Sequence, residues 1–523
     1  MSIVTLQRLG IIVALTAIAL VASGSAQHRY MPPQVTERAP LPGAGLLRST
    51  PTASPVVLAS QHRKGNELEL RAVVRGARAR IVAVTFYSGS RPLGTATTAP
   101  YRLDVVPSDL PSDSASVRAV AVDRLGRRNA SKGVLVRRGA SGHAVSATPQ
   151  SGLARALEVL RHGGGTVRLG PGRYAIDPLR IGTNTRLIGA GRETILTPRA
   201  GIEPWALLNA IGRHIRIEDI AVACDHRVGR AISVGPGSVD VRLQRLRLSG
   251  VLENGVEVWG AHRDVSVQDS VIDGRGATNA GVADKGSDAS RDVSVVRNRI
   301  FGFRGYGVLF AQRFYARPTA ALHNLALDNR ISDIIDPTRA DGTDEGGIWS
   351  GGVGAAIIGN RITRTGIDGI ETVGSSTRTT IIANKVTRTP VGIYLEHSTN
   401  ASLIARNEIS DVGTGINVEW RHAGGGSNAN TFAGNAILRA ARAGLFVDVG
   451  SEANRIESNR FLGGARPGIV LQGASANMVR GNIGCGVGGP LIRQQSGRWE
   501  DGSLAEPRRN RVVGNAERGL CVR

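Results

Sequence analysis

Short runs of alternating apolar and polar residues fill most of the chain, and glycine and asparagine separate them. Representative runs are GYGVLF, DGIETV, VGIYLE, TGINVE, AGLFVD and PGIVLQ. A period of two residues is typical of a β-strand with one buried face, and the β-branched residues of these runs favour strands. One stretch differs: residues 151–162 (SGLARALEVLRH) have helical spacing, with Ser151 as the expected N-cap. The pattern therefore predicts an all-β protein with one short helix.

Asparagine recurs through the second half of the chain, each time followed closely by an apolar residue. Most successive members lie 23 to 31 residues apart. One coil of a parallel β-helix needs about this many residues, and successive coils stack about 4.8 Å apart. We expect each Asn to take the left-handed conformation at a sharp bend and to hydrogen-bond from coil to coil. The members are Asn298, Asn329, Asn360, Asn384, Asn407, Asn435, Asn459, Asn482 and Asn515.

A glycine follows most of these asparagines by eight or nine residues and begins the next alternating strand. We expect this glycine to relieve the second bend of each coil. The two-residue alternation, the β-branched bias and the 68 glycines exclude a solenoid of helical repeats. The sequence predicts a single-stranded parallel β-helix, or solenoid, over residues 140–523.

The chain begins with segments of a different character. Residues 1–26 contain Arg8, then about 14 apolar residues, then small residues, and are typical of a secretory signal peptide. A retained membrane anchor is the alternative. Residues 27–53 are rich in Pro, Ser and Thr, which predicts a disordered linker. We therefore expect a protein that is secreted or held at the cell surface, with no transmembrane helix in its mature chain.

Residues 54–139 contain short strands separated by turns at intervals typical of a β-sandwich. The stretch VTFYSGSRPLGTATTAPYRLDV, followed by VRAVAVDRLGRRNAS, resembles the bacterial immunoglobulin-like domains of exported proteins. The resemblance implies a sandwich that serves as a spacer or as a weak glycan-binding module.

The helix at residues 151–162 leads directly into GGGTVRLGPGRYAI. This arrangement resembles the entry of right-handed parallel β-helix proteins of the pectate lyase-like superfamily, in which such a helix caps the first coil. The resemblance implies a right-handed fold of carbohydrate-active proteins. It extends to the fold and the repeat only. The chain lacks the NTD…DD…GHG residues of polygalacturonases, the DPHD motif of mannuronan C5-epimerases and the RxPxxR motif of pectate lyases.

Alignment of the strands on their glycine predicts which side chains face outward. The first and third residues after the glycine are apolar and should face the core, so the second and fourth should face solvent. In the second position stand Trp349, Glu371, Tyr394, Asn417 and Phe446; in the fourth, Glu396, Glu419 and Asp448; just beyond the fourth, His397, Trp420, Arg421 and His422. An insertion before Trp349 places Asp344 and Glu345 in a loop that we expect on the same face.

Three stacked carboxylates repel one another, so the column must hold a proton, a cation or nearby basic groups. We interpret Glu396 and Glu419 as the acid–base or nucleophile pair of a glycoside hydrolase, with His397 and Tyr394 as further catalytic residues. The predicted substrate-binding residues are Trp349, Glu371, Asn417, Trp420, Arg421, His422, Phe446, Asp344 and Glu345. Asp448 is the predicted ligand if the site binds Ca²⁺; no other cofactor is implied.

A formal net charge of +23 favours a polyanionic partner, and nucleic acid is the weaker choice because no nucleic-acid-binding motif is present. We expect a monomer that acts on an extracellular, acidic polysaccharide. One alternative is a polysaccharide lyase or uronan C5-epimerase. Another is a non-catalytic glycan-binding or adhesion protein, whose long flat face simply adheres to a glycan. Of the three cysteines, Cys485 and Cys521 could form a disulfide at the C-terminal end of the fold, which would leave Cys224 free and buried.

Overall fold

The computed structural model shows a parallel β-solenoid with antiparallel sheets in front of it. It describes residues 56–64, 67–74, 81–105, 110, 114–137, 144–150, 152–161, 163–287, 290–311, 323–338, 346–396, 398–419, 426–464 and 467–519. Each coil of the solenoid contributes strands to three parallel sheets, here named A, B and C. The predicted signal peptide (1–26) and linker (27–53) lie outside the described residues.

Sheet A contains the strands that begin near the repeated glycine. Its strands are Leu179–Ile181, Ala206–Ala210, Arg230–Val234, Asn254–Gly260, Ala280–Gly286, Tyr306–Phe310, Gly346–Val353, Asp368–Thr377, Val391–Glu396, the last part of Glu408–Glu419 and of Ala436–Val447, Ile469–Gln472 and Ile492–Gln495.

Sheet B contains the strands that precede the repeated asparagine. Its strands are Ala144–Ala147, Gly165–Leu169, the first part of Thr185–Pro198 and of Arg213–Ala223, Ser238–Gln244, His262–Gln268, Arg291–Val296, Leu325–Leu327, Ala356–Ile358, Thr380–Ile382, Leu403–Ala405, Thr431–Ala433, Arg455–Glu457, Met478–Arg480 and Arg511–Val513.

Sheet C contains the strands that follow the asparagine. Its strands are Gly172–Ile176, the last part of Thr185–Pro198 and of Arg213–Ala223, Arg247–Ser249, Val271–Ala277, Arg299–Phe303, Arg330–Ile334, Arg361–Thr365, Lys385–Thr387, the first part of Glu408–Glu419 and of Ala436–Val447, Arg460–Gly464, Ile483–Cys485 and Ala516–Arg518. A separate two-stranded antiparallel pair joins Gly497–Arg498 to Leu504–Ala505.

Aliphatic side chains of all three sheets fill the interior of the solenoid. On sheet A, the first and third residues after the glycine are fully buried, as predicted. They form continuous rows because each strand pairs in register with the next: Ile370, Ile393, Ile416, Leu445 and Ile469 in one row, and Leu395, Val418, Val447 and Leu471 in the other.

The predicted asparagine ladder is present between sheets B and C. Asn360 Nδ2 donates to Asn384 Oδ1 at 3.0 Å, and Asn384 Nδ2 donates to Asn407 Oδ1 at 3.0 Å. Each Oδ1 also accepts the backbone N–H of the preceding member, as between Asn384 and Asn360 at 2.9 Å. The side chains thus satisfy backbone groups that the bend leaves unpaired inside the core, which explains why the position repeats.

The predicted conformation of these asparagines is wrong by one position. The left-handed residue is the one before each Asn: Asp328 (φ 57°) before Asn329, and Ala383 (φ 55°) before Asn384. The preceding residue makes the bend, which leaves the Asn side chain directed into the ladder.

The repeated glycines are explained by close packing. Gly369 has no positive φ, but a Cβ there would lie 2.6 Å from the carbonyl oxygen of Gly392 and 2.3 Å from Val386 Cγ1. Neighbouring coils therefore approach too closely at this column for any larger residue.

The helix α1 (Leu153–Val159) is shorter than the predicted 151–162, and Gly152 is its N-cap. The predicted N-cap, Ser151, lies outside the described residues. Leu153 and Ala156 are buried and belong to the core of the solenoid. The helix therefore covers the end of the apolar core near the first coils.

Residues 56–137 form two antiparallel sheets around a core of their own. One sheet contains Val56–Lys64, Glu67–Val74 and Tyr101–Val105; the other contains Ile81–Ser88, Arg91–Ala96, Ser114–Asp123, Arg128–Ala130 and Val134–Arg137. Buried side chains from both sheets, among them Leu70, Phe86 and Val117, form one apolar cluster. This arrangement agrees with the predicted β-sandwich; its immunoglobulin-like character stays a prediction.

The antiparallel domain packs against the outer side of sheet B. Ala83 and Val122 of the domain are buried in one cluster with Leu327 and Ile358 of the solenoid. Polar contacts surround the apolar ones. Gln268 exchanges two hydrogen bonds with the backbone of Thr95, at 3.0 and 3.1 Å.

The states of two of the three cysteines agree with the prediction. Cys224 is free and buried, and burial raises the pKa of its thiol to about 12. Cys485 is disulfide-bonded, whereas Cys521, its predicted partner, lies outside the described residues. In the described ranges, no helix has the length and apolar character that a membrane crossing requires.

Candidate functional site

The second residues after the glycine form one continuous column on the outer side of sheet A. Trp349 pairs in register with Glu371, Glu371 with Tyr394, Tyr394 with Asn417, and Asn417 with Phe446. In the column of the fourth residues, Glu396 pairs directly with Glu419. The register therefore places the predicted carboxylates and Tyr394 on consecutive strands, about 4.8 Å apart.

Tyr394 lies among four carboxyl groups, here named the acid cluster: Asp368, Glu371, Glu396 and Glu419. Burial, followed by the charges of these groups, raises the pKa of Tyr394 above its ordinary value. A phenol in such a field keeps its proton, because the phenolate would add a fifth negative charge. Tyr394 can therefore donate a hydrogen bond or a proton and is a poor base.

Asp368 is the member of the acid cluster that the sequence did not predict. Its side chain is buried, with 3% exposure, and its Oδ1 has no hydrogen-bond partner. Burial and, second, the charge of Glu396 raise the pKa of Asp368 well above its ordinary value. A raised pKa favours the protonated form of Asp368, so the cluster contains a candidate proton donor beside its other carboxyl groups.

Glu419 is oriented by its neighbour on the same strand. Asn417 Nδ2 donates to Glu419 Oε2 at 3.0 Å, and both side chains are partly exposed. The side chains of Glu371, Tyr394, Glu396 and Phe446 are also partly exposed. This part of sheet A can therefore be reached from solvent, and Phe446 offers an apolar surface on the strand after Asn417.

Two predicted site residues, one on sheet A and one directly after a strand of sheet A, are buried and not available to a substrate. Trp349 is 3% exposed and packs against Tyr306, with 6.2 Å between the ring centroids. It belongs to an apolar cluster with Leu309 and Val373, so its predicted role in stacking on a sugar is wrong. Asp448 has no exposed surface and accepts a hydrogen bond from Gln472 Nε2 at 3.1 Å. The solvent-facing acidic column therefore ends at Glu419.

Six further predicted residues cannot be placed, because they lie outside the described residues: His397, Trp420, Arg421, His422, Asp344 and Glu345. Within the part of the chain that the structure describes, no group of three His, Cys, Asp or Glu side chains has an arrangement that could hold a metal ion. The Ca²⁺ prediction, with Asp448 as ligand, stays a prediction.

A second set of charged side chains lies on earlier strands of sheet A. Glu257 occupies the same column as Glu371 and accepts hydrogen bonds from Arg230 Nε, Asn254 Nδ2 and Lys285 Nζ at 3.1, 2.7 and 3.1 Å. Because three donors satisfy this buried carboxylate, we interpret it as structural. Asp368 differs from Glu257, because its Oδ1 accepts no hydrogen bond. This difference distinguishes the acid cluster from the structural acid on the earlier strands of sheet A.

One family model matches the chain. It is described as a right handed beta helix region and covers residues 323–483, which include the acid cluster. The match confirms the predicted right-handed parallel β-helix for this part of the solenoid. No curated protein matches the chain.

Several solved structures are similar to the chain in fold. The A-module of a mannuronan C-5 epimerase from Azotobacter vinelandii is 14% identical, with 70% of this chain and 94% of that chain covered and a TM-score of 0.45. A family 28 exopolygalacturonase from Yersinia enterocolitica is 11% identical, with 85% and 98% covered and a TM-score of 0.42. PfbA, a surface adhesin of Streptococcus pneumoniae, is 12% identical, with 68% and 90% covered and a TM-score of 0.42.

Proposed function

We propose that this protein is a carbohydrate-active β-helix enzyme that hydrolyses an extracellular, acidic polysaccharide at the acid cluster. The observation that carries the proposal is Asp368, a buried carboxyl group with a raised pKa beside Glu396. A protonated acid close to an ionised carboxylate is the pair that glycoside hydrolysis requires. Structural acids of the same face, such as Glu257, are satisfied by basic and amide donors instead.

In the proposed reaction the carboxyl groups have distinct roles. Asp368 supplies a proton, and Glu396, the more exposed of the two, transfers it to the oxygen of the leaving sugar. Glu419, oriented by Asn417, attacks the anomeric carbon as that bond breaks. Water then releases the sugar from Glu419 and returns a proton to Glu396. Adjacent strands separate Glu396 from Glu419 by about 4.8 Å, close to the spacing of retaining glycosidases.

Elimination or epimerisation of a uronate is the second candidate, because both reactions also need an acid and a base at one sugar. A base must then remove the proton at C5. Tyr394 does not suit that role, since its pKa is raised. It suits the role of the acid, with Glu396 or Glu419 as the base. Arg421 is the residue that we expect to hold the uronate carboxylate in either reaction.

Hydrolysis is tested by incubation of the full chain with a panel of acidic and neutral polysaccharides, with and without Ca²⁺. We expect new reducing ends from at least one acidic polymer, and loss of this product in E396Q and in E419Q. E452Q is the matched control, because Glu452 is exposed on the same solenoid and far along the chain from the acid cluster.

Each outcome of the panel has a different meaning. Ultraviolet absorbance from an unsaturated uronate, without hydrolysis, would replace hydrolysis with elimination. Binding without any product across the panel would favour the adhesion alternative. Product formation that is equal in E396Q, E419Q and the wild type would remove the acid cluster from the mechanism.

A further inference from the structure

Basic side chains stack on four consecutive strands of sheet C, which does not carry the acid cluster. Arg299 pairs in register with Arg330, Arg330 with Arg361, and Arg361 with Lys385. All four are exposed. We name them the basic ladder. Like charges about 4.8 Å apart along a strand stack repel one another, so this row is a cost that the fold alone does not require.

The acids near the basic ladder are mostly engaged by other basic residues. Asp328 accepts two hydrogen bonds from Arg128 of the antiparallel domain, at 2.6 and 2.8 Å. Asp333 is bound by Arg364 at 2.6 and 2.8 Å. Across the described residues, Arg330 and Arg361 form no ion pair. The positive charge at the centre of the ladder is therefore available to an external anion.

A row of hydroxyl groups runs beside the basic ladder. Ser332, Thr363, Thr387 and Ser410 pair in register on four consecutive strands, two residues after the corresponding basic or acidic position. Within a strand, residues two apart face the same side, so hydroxyls and cations share the outer side of sheet C. Thr387 Oγ1 donates to Thr363 Oγ1 at 3.0 Å, and Ser410 is buried. The row is therefore a polar edge beside the cations, in which Thr363 can still donate a hydrogen bond.

The basic ladder continues into a groove at the following coils. Lys385 lies at the start of this groove, and Arg388, Arg406, Arg439 and Arg460 also line it. Glu408 and Asp411 lie there too, but Lys385 and Arg439 pair with them at 2.6 and 2.5 Å. From the strand of Arg299 to the strand of Arg460 there are six spacings, or about 29 Å. The surface is thus long and linear.

We propose that this surface of sheet C binds an acidic polysaccharide, a chain of uronate sugars that runs along the solenoid axis. Such a chain presents carboxylates at regular intervals, together with hydroxyls that can pair with the row of Ser and Thr. Nucleic acid fits less well, because single strands are bound through stacked aromatic residues. Phe301 is the one aromatic side chain in the row, and Arg299 already covers its ring at 4.9 Å.

The surface is a binding site separate from the acid cluster, and the inference does not depend on the proposed hydrolysis. Binding of a polymer to this surface would leave the acid cluster on sheet A accessible to solvent. A variant of the basic ladder should keep the wild-type rate of product release from short oligosaccharides, which the acid cluster can bind without sheet C. A failure of the catalytic proposal and a failure of this one are therefore distinguishable.

The experiment measures binding of polygalacturonate of defined length to the full chain across a series of salt concentrations. The variant R330Q/R361Q removes two exposed cations without touching an ion pair. At low salt we expect it to bind about tenfold more weakly. The slope of log affinity against log salt should also fall in magnitude by about one to two.

The matched control is R180Q/R213Q, which removes two exposed arginines near the amino-terminal coils. It should keep the wild-type affinity and salt slope. Equal weakening in both double variants would mean that net charge alone attracts the polymer, and would overturn the proposal. So would binding of dextran as tight as that of polygalacturonate, or tighter binding of a DNA duplex at the same salt concentration.

Discussion

Sheets A and C of the same solenoid both stack like charges, and the two faces differ in burial. On sheet A, Asp368, Glu396 and Glu419 lie among partly or fully buried side chains, and the pKa of Asp368 rises well above its ordinary value. On sheet C, the basic ladder is exposed and screened by salt. The in-register stacking of coils produces both columns of like charge. Where the column is buried, the repulsion favours the binding of a proton; where it is exposed, the repulsion attracts counterions.

Substitutions in the acid cluster of sheet A should have the greatest consequences. E396Q should lower the rate of product release by about 10²- to 10⁴-fold, because it removes the group that transfers the proton. D368N should produce a loss of similar order. Since both act on the same proton, the losses in D368N/E396Q should not multiply. Initial rates of reducing-end release from the three variants measure this coupling, and fully multiplicative losses would contradict it.

A substitution of the repeated glycine should disturb the stacking of coils that aligns the side chains of both sheets. G369A introduces a Cβ that would lie 2.6 Å from the Gly392 carbonyl oxygen, so the stack must shift. We expect a loss of about 1 to 3 kcal/mol in the free energy of unfolding. G182A is the control, because nothing lies within 4 Å of a Cβ at that position. Denaturant unfolding of both variants should separate them. An equal effect would show that close packing does not select the repeated glycine.

The burial of Asp368 should make the stability of the protein depend on pH. Asp368 has a raised pKa in the folded state, so the folded protein binds the extra proton and stability falls as the pH rises from about 4 to that raised pKa. Asn cannot titrate. Over this interval D368N should therefore gain stability relative to the wild type by up to about 1.4 kcal/mol per pH unit. Unfolding curves at several pH values test this. A parallel pH dependence of the two proteins would contradict it.

Substitutions in the basic ladder should have the smallest consequences for stability. R361Q should change the free energy of unfolding by less than about 0.5 kcal/mol, because its side chain is exposed and forms no ion pair among the described residues. The difference should shrink further as salt is added. Thermal unfolding at low and high salt measures it. A large, salt-independent loss would show that the basic ladder is part of the structure and not a binding surface.

The repeat allowed most of the solenoid and three of the four carboxyl groups of the acid cluster to be predicted. The two-residue alternation placed Glu371, Tyr394, Glu396 and Glu419 in their observed register, because neighbouring coils pair residue by residue. Alternation gives the side of the sheet to which a residue points. It does not reveal what covers that side. For this reason Trp349 and Asp448 were expected at the surface and are buried.

Asp368 was missed because it precedes the glycine, where the chain bends and the alternation no longer predicts direction. The same limit explains the left-handed residue, which lies before Asn384 and not at it. The packing of the antiparallel domain on sheet B could not be predicted from the sequence. Small apolar residues such as Ala83 and Val122 are equally compatible with the core of their own domain. Contacts between distant segments depend on the surface that each coil leaves uncovered.

We expect the acid cluster to contain a protonated carboxyl group, that of Asp368, at neutral pH. Difference infrared spectroscopy measures it directly, through the C=O stretch that only a protonated carboxyl group shows. The wild type and E452Q should both show this band at neutral pH, and D368N should lack it. Absence of the band from the wild type, or an unchanged band in D368N, would contradict the assignment of the proton to Asp368.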